Sequence, residues 1–278
     1  MRKRILFLLA ALFAFALASD AQVLVVGDFN VKPGKEADFI KAVEGAGVPA
    51  YAPLLKDGTL LAWGISVPVF HTPGDATHSV WYVAKDFTSI DRVQAALTAQ
   101  IGKSQEDYKK AVEDARKKRT AEPRDPMQAF METVDMSAHK DWVFRIQLRN
   151  ASAAPPSGMG YAWINLVKVY AGQAPEWRAA WDKYVKPTYD KLLKEGAING
   201  YEIGTEELKS QDAFTHYVLV ALPNLAAREK VRAAFAAVNE SRSEELRRAI
   251  GEQFRATSDP SAARQFVLRD VKVYTAGN

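Results

Sequence analysis

PAYAPLLKDG at residues 49–58 returns as PTYDKLLKEG at residues 187–196, with Pro, Tyr, Leu, Leu, Lys and Gly in register and Asp57 answered by Glu195. The separation is 138 positions, and at that offset the likeness continues outward. Val31 and Gly34 meet Val169 and Gly172, Ile65 meets Ile203, and Thr77-His78 with Val80 meets Thr215-His216 with Val218. Self-similarity over so long a period predicts a doubled folding unit, each copy large enough to bury a core.

Each copy opens on an apolar run that reads as a strand, VLVVGDFNV (23–31) or YAWINLVKV (161–169). A helical pattern follows, anchored by Phe39 and Val43 or by Trp177 and Trp181, pairs four apart on one face. Pro49 and Pro187 fall inside these helices and predict a kink or a restart, because proline removes a backbone donor. Gly58 and Gly196 are placed to close them in the left-handed conformation. LLAWGISV (60–67) and INGYEIGTEE (198–207) predict second strands, and HSVWYVA (78–84) and HYVLVAL (216–222) third strands. Second helices are expected from near Ser89 and near Leu225, and last strands at WVFRIQLR (142–149) and FVLRDVKVY (266–274). Residues 107–125, including RKKRTAEPRD, are extra in the first copy and are expected to extend a helix into a loop.

The order β-α-β-β-α-β therefore occurs twice. It predicts an α+β fold of two tandem ferredoxin-like units, 22–149 and 160–278, joined by the Ala/Pro/Ser/Gly-rich linker 150–159. SVWYVA and YVLVAL are nearly unbroken apolar runs, so both faces of these sheets are expected to be covered. Two sheets sharing one intramolecular pseudo-dimeric α/β barrel, with helices outside, would provide that cover.

WDKYVKPTYDKLLKEGAINGYEIG (181–204) followed by THYVLVAL (215–222) resembles the dimeric α/β-barrel superfamily, in particular its antibiotic-biosynthesis-monooxygenase-like, EthD-like and NIPSNAP-like members. The likeness covers most of the second half directly and the first half through the repeat. It implies a pocket between each sheet and its helices, suited to a small, largely apolar ligand. Members of that superfamily include cofactor-independent oxygenases, haem-degrading enzymes and isomerases, but no catalytic motif of theirs can be matched residue by residue here.

MRKRILFLLAALFAFALASDAQ at the start has a basic opening, an apolar run over Ile5–Ala18 and small residues at cleavage spacing. It reads as a signal peptide over 1–21, and predicts a periplasmic or secreted protein with no membrane association after cleavage. Removing it leaves 34 basic against 32 acidic side chains, a balance that gives no footing for a nucleic-acid partner. The chain has no cysteine, which excludes thiolate chemistry, disulfides and cysteine-ligated zinc. GxGxxG, GxxxxGK[ST], HExxH and GxSxG are all missing, so dinucleotide, phosphate-loop, zincin and serine-hydrolase chemistry find no support.

His78 and His216, two of four histidines, head the third strand in both copies and are the candidate catalytic proton-transfer residues. The alternative is a shared packing role at a strand end. Tyr51 and Tyr189 at the helix break, with Trp63 and Tyr201 on the second strand, are the candidate ligand-binding residues or core aromatics. His71 and Asp75 flank the hairpin without a matching second copy, His139 is expected at the surface, and no metal site or cofactor is predicted. The expected function is binding of a small apolar or aromatic molecule by a monomer or weak homodimer, with cofactor-independent oxygenation or isomerisation as the enzymatic form. A non-catalytic envelope or stress scaffold and a haem- or porphyrin-binding protein are the alternatives.

Overall fold

The computed structural model describes residues 22–71, 74–152, 160–208 and 214–276. The leader-like segment and residues 153–159 of the expected linker lie outside them. The first half runs β1 (Val23–Val31), α1 (Glu36–Lys56), β2 (Leu60–Pro68), β3 (His78–Ala84), α2 (Ser89–Lys118), α3 (Pro126–Met131) and β4 (Val134–Ala151). The second runs β5 (Tyr161–Val169), α4 (Ala174–Tyr184), α5 (Lys186–Lys194), β6 (Gly200–Glu206), β7 (His216–Leu222), α6 (Ala226–Glu240), α7 (Glu244–Thr257) and β8 (Ser258–Thr275). This is an α+β fold whose eight strands close a barrel in the order β1-β3-β2-β8-β5-β7-β6-β4. Within each half the third strand lies between the first and second, and the last flanks the first.

The last strands are much longer than the sequence pattern suggested, 18 residues each against the eight and nine expected. Their outer ends are rich in polar residues and carry no alternation that would mark them as strands. Asn150 and Ala151, expected in the linker, are the end of β4. The long strands also carry the division of the chain. One compact unit holds residues 22–143 with 271–276, and the other holds 144–270.

In the first unit, Val23, Val25, Leu60, Trp63, Tyr82 and Ala84 of the sheet pack on Tyr51, Leu54 and Leu55 of α1 and Val93 of α2. A second cluster joins Val31 and Ile65 to Phe39 and Val134. Gly58 and Gly196 close α1 and α5 with positive φ, as the spacing predicts. The prolines act differently in the two copies. Pro187 restarts the chain as α5, whereas α1 runs through Pro49 and Pro53 without a break. The turn ahead of Pro49 carries Gly45 and Gly47 where the second copy has Lys183 and Val185, and glycine lets the backbone bend around the proline ring. Gly47 has a second duty, since a Cβ there would sit 2.8 Å from the Trp63 ring.

Gly64 on β2 faces a similar demand. A Cβ would lie 2.4 Å from the Lys272 carbonyl oxygen, which is backbone, and 2.7 Å from the Trp81 ring. Gly64→Ala is therefore expected to cost about 1–3 kcal/mol by overpacking. A urea midpoint unchanged from that of the parent chain would contradict it.

Candidate functional site

Thr77 and His78 at the head of β3 form one bracket, and Thr215 with His216 ahead of and opening β7 forms its twin. Thr77 Oγ1 accepts from the Val31 amide at 2.8 Å and donates to the Phe29 carbonyl at 3.2 Å. Thr215 Oγ1 accepts from the Val169 amide at 2.9 Å. Each hydroxyl also meets the Nδ1 of the next residue, at 3.1 Å for His78 and 2.9 Å for His216. The rings are buried, His78 edge-on to Phe39 and His216 against Trp177, with centroids 5.2 and 5.1 Å away. Burial lowers the pKa of both, that of His216 to about 4, so at neutral pH each is an uncharged imidazole. This arrangement pins the first strand of each unit to the third.

Tyr51 and Trp63 lie together, centroids 5.4 Å apart and edge to face, beside Tyr82. Tyr189 and Tyr201 lie 5.4 Å apart in the second unit, where both meet Trp181. Burial raises the pKa of Tyr51 and Tyr189, keeping both phenols protonated. Trp181 is one helical turn beyond Trp177, so the tyrosine cluster and the histidine of the second unit sit on successive turns of α4.

A groove of about 330 Å³ opens beside the Trp63 cluster, between α1 and the strands β2 and β8. Val48, Ala52, Leu55 and Lys56 form one wall, and Trp63, Tyr274, Thr275 and Ala276 form the other. Its floor is a stacked pair, the rings of Trp63 and Tyr274 being 4.3 Å apart and 11° from parallel. Tyr274 donates its hydroxyl to the Glu44 carboxylate, which also meets Lys272 Nζ at 3.0 Å. Partial burial opposes ionisation of Glu44, but the bonds from Tyr274 and Lys272 outweigh it and hold the carboxyl below its usual pKa. Desolvation and the bond to Glu44 push Tyr274 up to about 12. The phenol is thus a fixed donor, and its ring is held flat on Trp63.

The same place in the second unit is crossed by polar side chains. Val48 and Ala52 are replaced at the 138 offset by Lys186 and Asp190, which pair at 2.5 Å. Tyr201 donates to Asp190, and Asn150 Nδ2 reaches the Tyr201 hydroxyl at 3.2 Å and Asp190 at 3.1 Å. One unit therefore presents an apolar groove and the other a hydrogen-bonded plug. The groove depends on Tyr274, which the sequence reading passed over; its counterpart at the 124 offset is Asn150, so no repeat signal marks it.

Asp28 accepts from Ser79 Oγ at 2.6 Å and Trp142 Nε1 at 2.8 Å, and burial raises its pKa despite these bonds. His139, expected at the surface, stacks on Phe29 at 4.3 Å with Nδ1 2.8 Å from the Asp28 carbonyl oxygen. In the second unit Glu202 takes Arg149 at 2.5 Å on one oxygen and the Tyr217 hydroxyl on the other. Among the described residues no histidine lines the groove, and His78, His139 and His216 are each packed against an aromatic ring. The groove residues therefore do not fit a haem needing an axial imidazole.

No family model and no curated protein matches the sequence. Solved structures do match over nearly the whole chain. A candidate monooxygenase from Fusobacterium nucleatum subsp. nucleatum ATCC 25586 aligns with a TM-score of 0.58 at 11% identity, covering 92% of this chain and 94% of its own. Another, from Lactobacillus acidophilus NCFM, aligns with a TM-score of 0.57 at 10% identity, covering 92% and 97%. A haem-binding protein from Thermus thermophilus aligns with a TM-score of 0.51 at 12% identity, covering 91% and 92%. The chain has the fold of the dimeric α/β-barrel superfamily.

Proposed function

We propose that this chain is a tandem duplication of a ferredoxin-like unit, exported by its leader, that binds one small, flat, apolar or aromatic molecule in the groove of its first unit. The observation that carries the reading is the stacked Trp63–Tyr274 floor under apolar walls, in a groove of about 330 Å³. That volume lies at the small end of ligand pockets, and the lining is of the usual kind, mostly apolar with a few fixed polar groups. Lys56 at the rim and the Tyr274–Glu44 pair beside the floor are the groups that would orient a polar end. The plug of Lys186, Asp190, Tyr201 and Asn150 makes the second copy the structural one.

Calorimetric titration with neutral 2-naphthol tests this. The expected result is saturable binding that Ala52→Trp weakens by about tenfold or more, a loss of about 1.4 kcal/mol or greater, while Asp190→Asn leaves it unchanged. Binding indifferent to Ala52→Trp would remove the groove from consideration. Absence of any binding would favour the non-catalytic scaffold.

A second reading, oxygenation of the bound molecule, is supported by the two neighbours described as candidate monooxygenases. His78 and His216 lie off the groove, so this reading gives them no part in the proton transfer. Oxygen uptake with hydroxynaphthalenes is then expected in the parent chain and lost in folded Ala52→Trp protein, and uptake indifferent to Ala52→Trp would separate it from the groove.

A further inference from the structure

Trp163 on β5 is 8% exposed, and its indole Nε1 is buried without a hydrogen-bond acceptor. Nε of Arg228, in the first turn of α6, is buried without one as well. The guanidinium carbon lies 4.9 Å from the centre of the Trp163 ring, so the cation sits over the indole whose own donor is unsatisfied. The guanidinium's Nη1 lies 3.9 Å from Glu229, an exposed carboxylate that Arg232 also approaches at 3.7 Å. A buried donor left without an acceptor keeps its desolvation penalty uncompensated, so such a pair calls for a reason.

The first copy shows that the fold does not require it. At the 138 offset, Trp163 is Val25 and Arg228 is Ile90, and these two belong to one apolar cluster. The helix starts differ in the same sense. Asp86 caps α2 with a carboxylate, accepting from the amide and hydroxyl of Ser89 at 2.8 Å each. Its counterpart Asn224 is neutral and accepts from the Ala227 amide at 3.0 Å. A helix N-terminus favours a negative partner. The first unit brings its own, whereas the second has replaced it with a neutral cap and added a cation and an indole donor.

We infer that the second unit carries an oxyanion-binding site at the start of α6, in which Trp163 Nε1 and the Arg228 guanidinium donate to a carboxylate or phosphate oxygen of a small ligand. Arg228 is about one-third exposed, 34% by side chain, so part of the side chain meets solvent while its Nε is buried. The site is separate from the groove of the first unit and does not depend on it.

The test is calorimetric titration of the full chain in low-salt buffer with sodium benzoate and, separately, with inorganic phosphate. Saturable binding of one anion is expected, benzoate indicating an organic acid and phosphate a phosphate group. Trp163→Phe and Arg228→Met keep ring and length while deleting the donors, and each is expected to weaken binding about 10- to 100-fold. In the parent protein, the indole ¹⁵N–¹H resonance that is missing from the Trp163→Phe spectrum should move on saturation. No saturable binding of either anion, an affinity unchanged in either variant, or an unmoved indole resonance overturns the assignment, and the last still applies if a variant fails to fold.

Discussion

Replacing Arg149 with leucine is expected to destabilise the protein by about 3–5 kcal/mol, because it strands a buried carboxylate. Glu202 is 6% exposed by side chain, and its two oxygens are held by Arg149 and by the Tyr217 hydroxyl. Tyr217 itself is buried, and desolvation together with the Glu202 charge raises its pKa far above the normal phenol value. With Arg149 gone, Glu202 keeps one donor and no counter-charge. The fold can do without the whole set, since the counterparts of Arg149, Glu202 and Tyr217 in the first unit are Val273, Gly64 and Ser79. The triple variant Arg149→Leu, Glu202→Met, Tyr217→Phe is accordingly expected to recover most of the loss, ending within about 2 kcal/mol of the parent chain. Urea unfolding at pH 7 measures both. A cost below about 1 kcal/mol for Arg149→Leu would mean that Glu202 is solvated and the buried-pair description is wrong.

Acidification from pH 7 to pH 4 is expected to remove roughly 3 kcal/mol of stability through His216 alone. In the unfolded chain an imidazole titrates near 6.5, while burial in the folded chain lowers that of His216 to about 4. Above the unfolded value both states are neutral and the ring contributes no pH dependence. Between the two values only the unfolded chain takes up the proton, so stability falls as pH falls, by up to about 1.4 kcal/mol per pH unit. Below pH 4 both states are charged and the loss is complete. His78, whose pKa is also lowered by burial, adds in the same direction. Urea midpoints of parent and His216→Gln chains, measured from pH 7 to pH 4, isolate the effect because the carboxylates are common to both. Parallel curves would show that the ring is not held neutral.

The elements that place the aromatic cluster were legible because each rests on local chemistry. Alternating or continuous apolar runs gave β1, β3, β5 and β7 their observed bounds, and Gly58 and Gly196 marked the helix ends through the one conformation glycine adopts freely. The repeat matched Tyr51 to Tyr189 and Trp63 to Tyr201, and within each unit the two matched positions meet through ring contacts. His139 was misread because its partners Phe29 and Asp28 belong to β1, more than a hundred residues away, and only the long β4 brings it across them.

The sequence by itself determined that two similar units exist, which residues correspond, and which strands carry the buried faces, since periodicity and repetition are properties of the chain read along its length. Only the tertiary structure decided that corresponding places in the two units differ, one opening a groove over Trp63 and Tyr274 and the other closing the same place with Lys186 and Asp190. Whether Asn150 reaches Asp190, or an indole donor goes without an acceptor, depends on distances between strands and helices far apart in sequence. No local pattern encodes those distances.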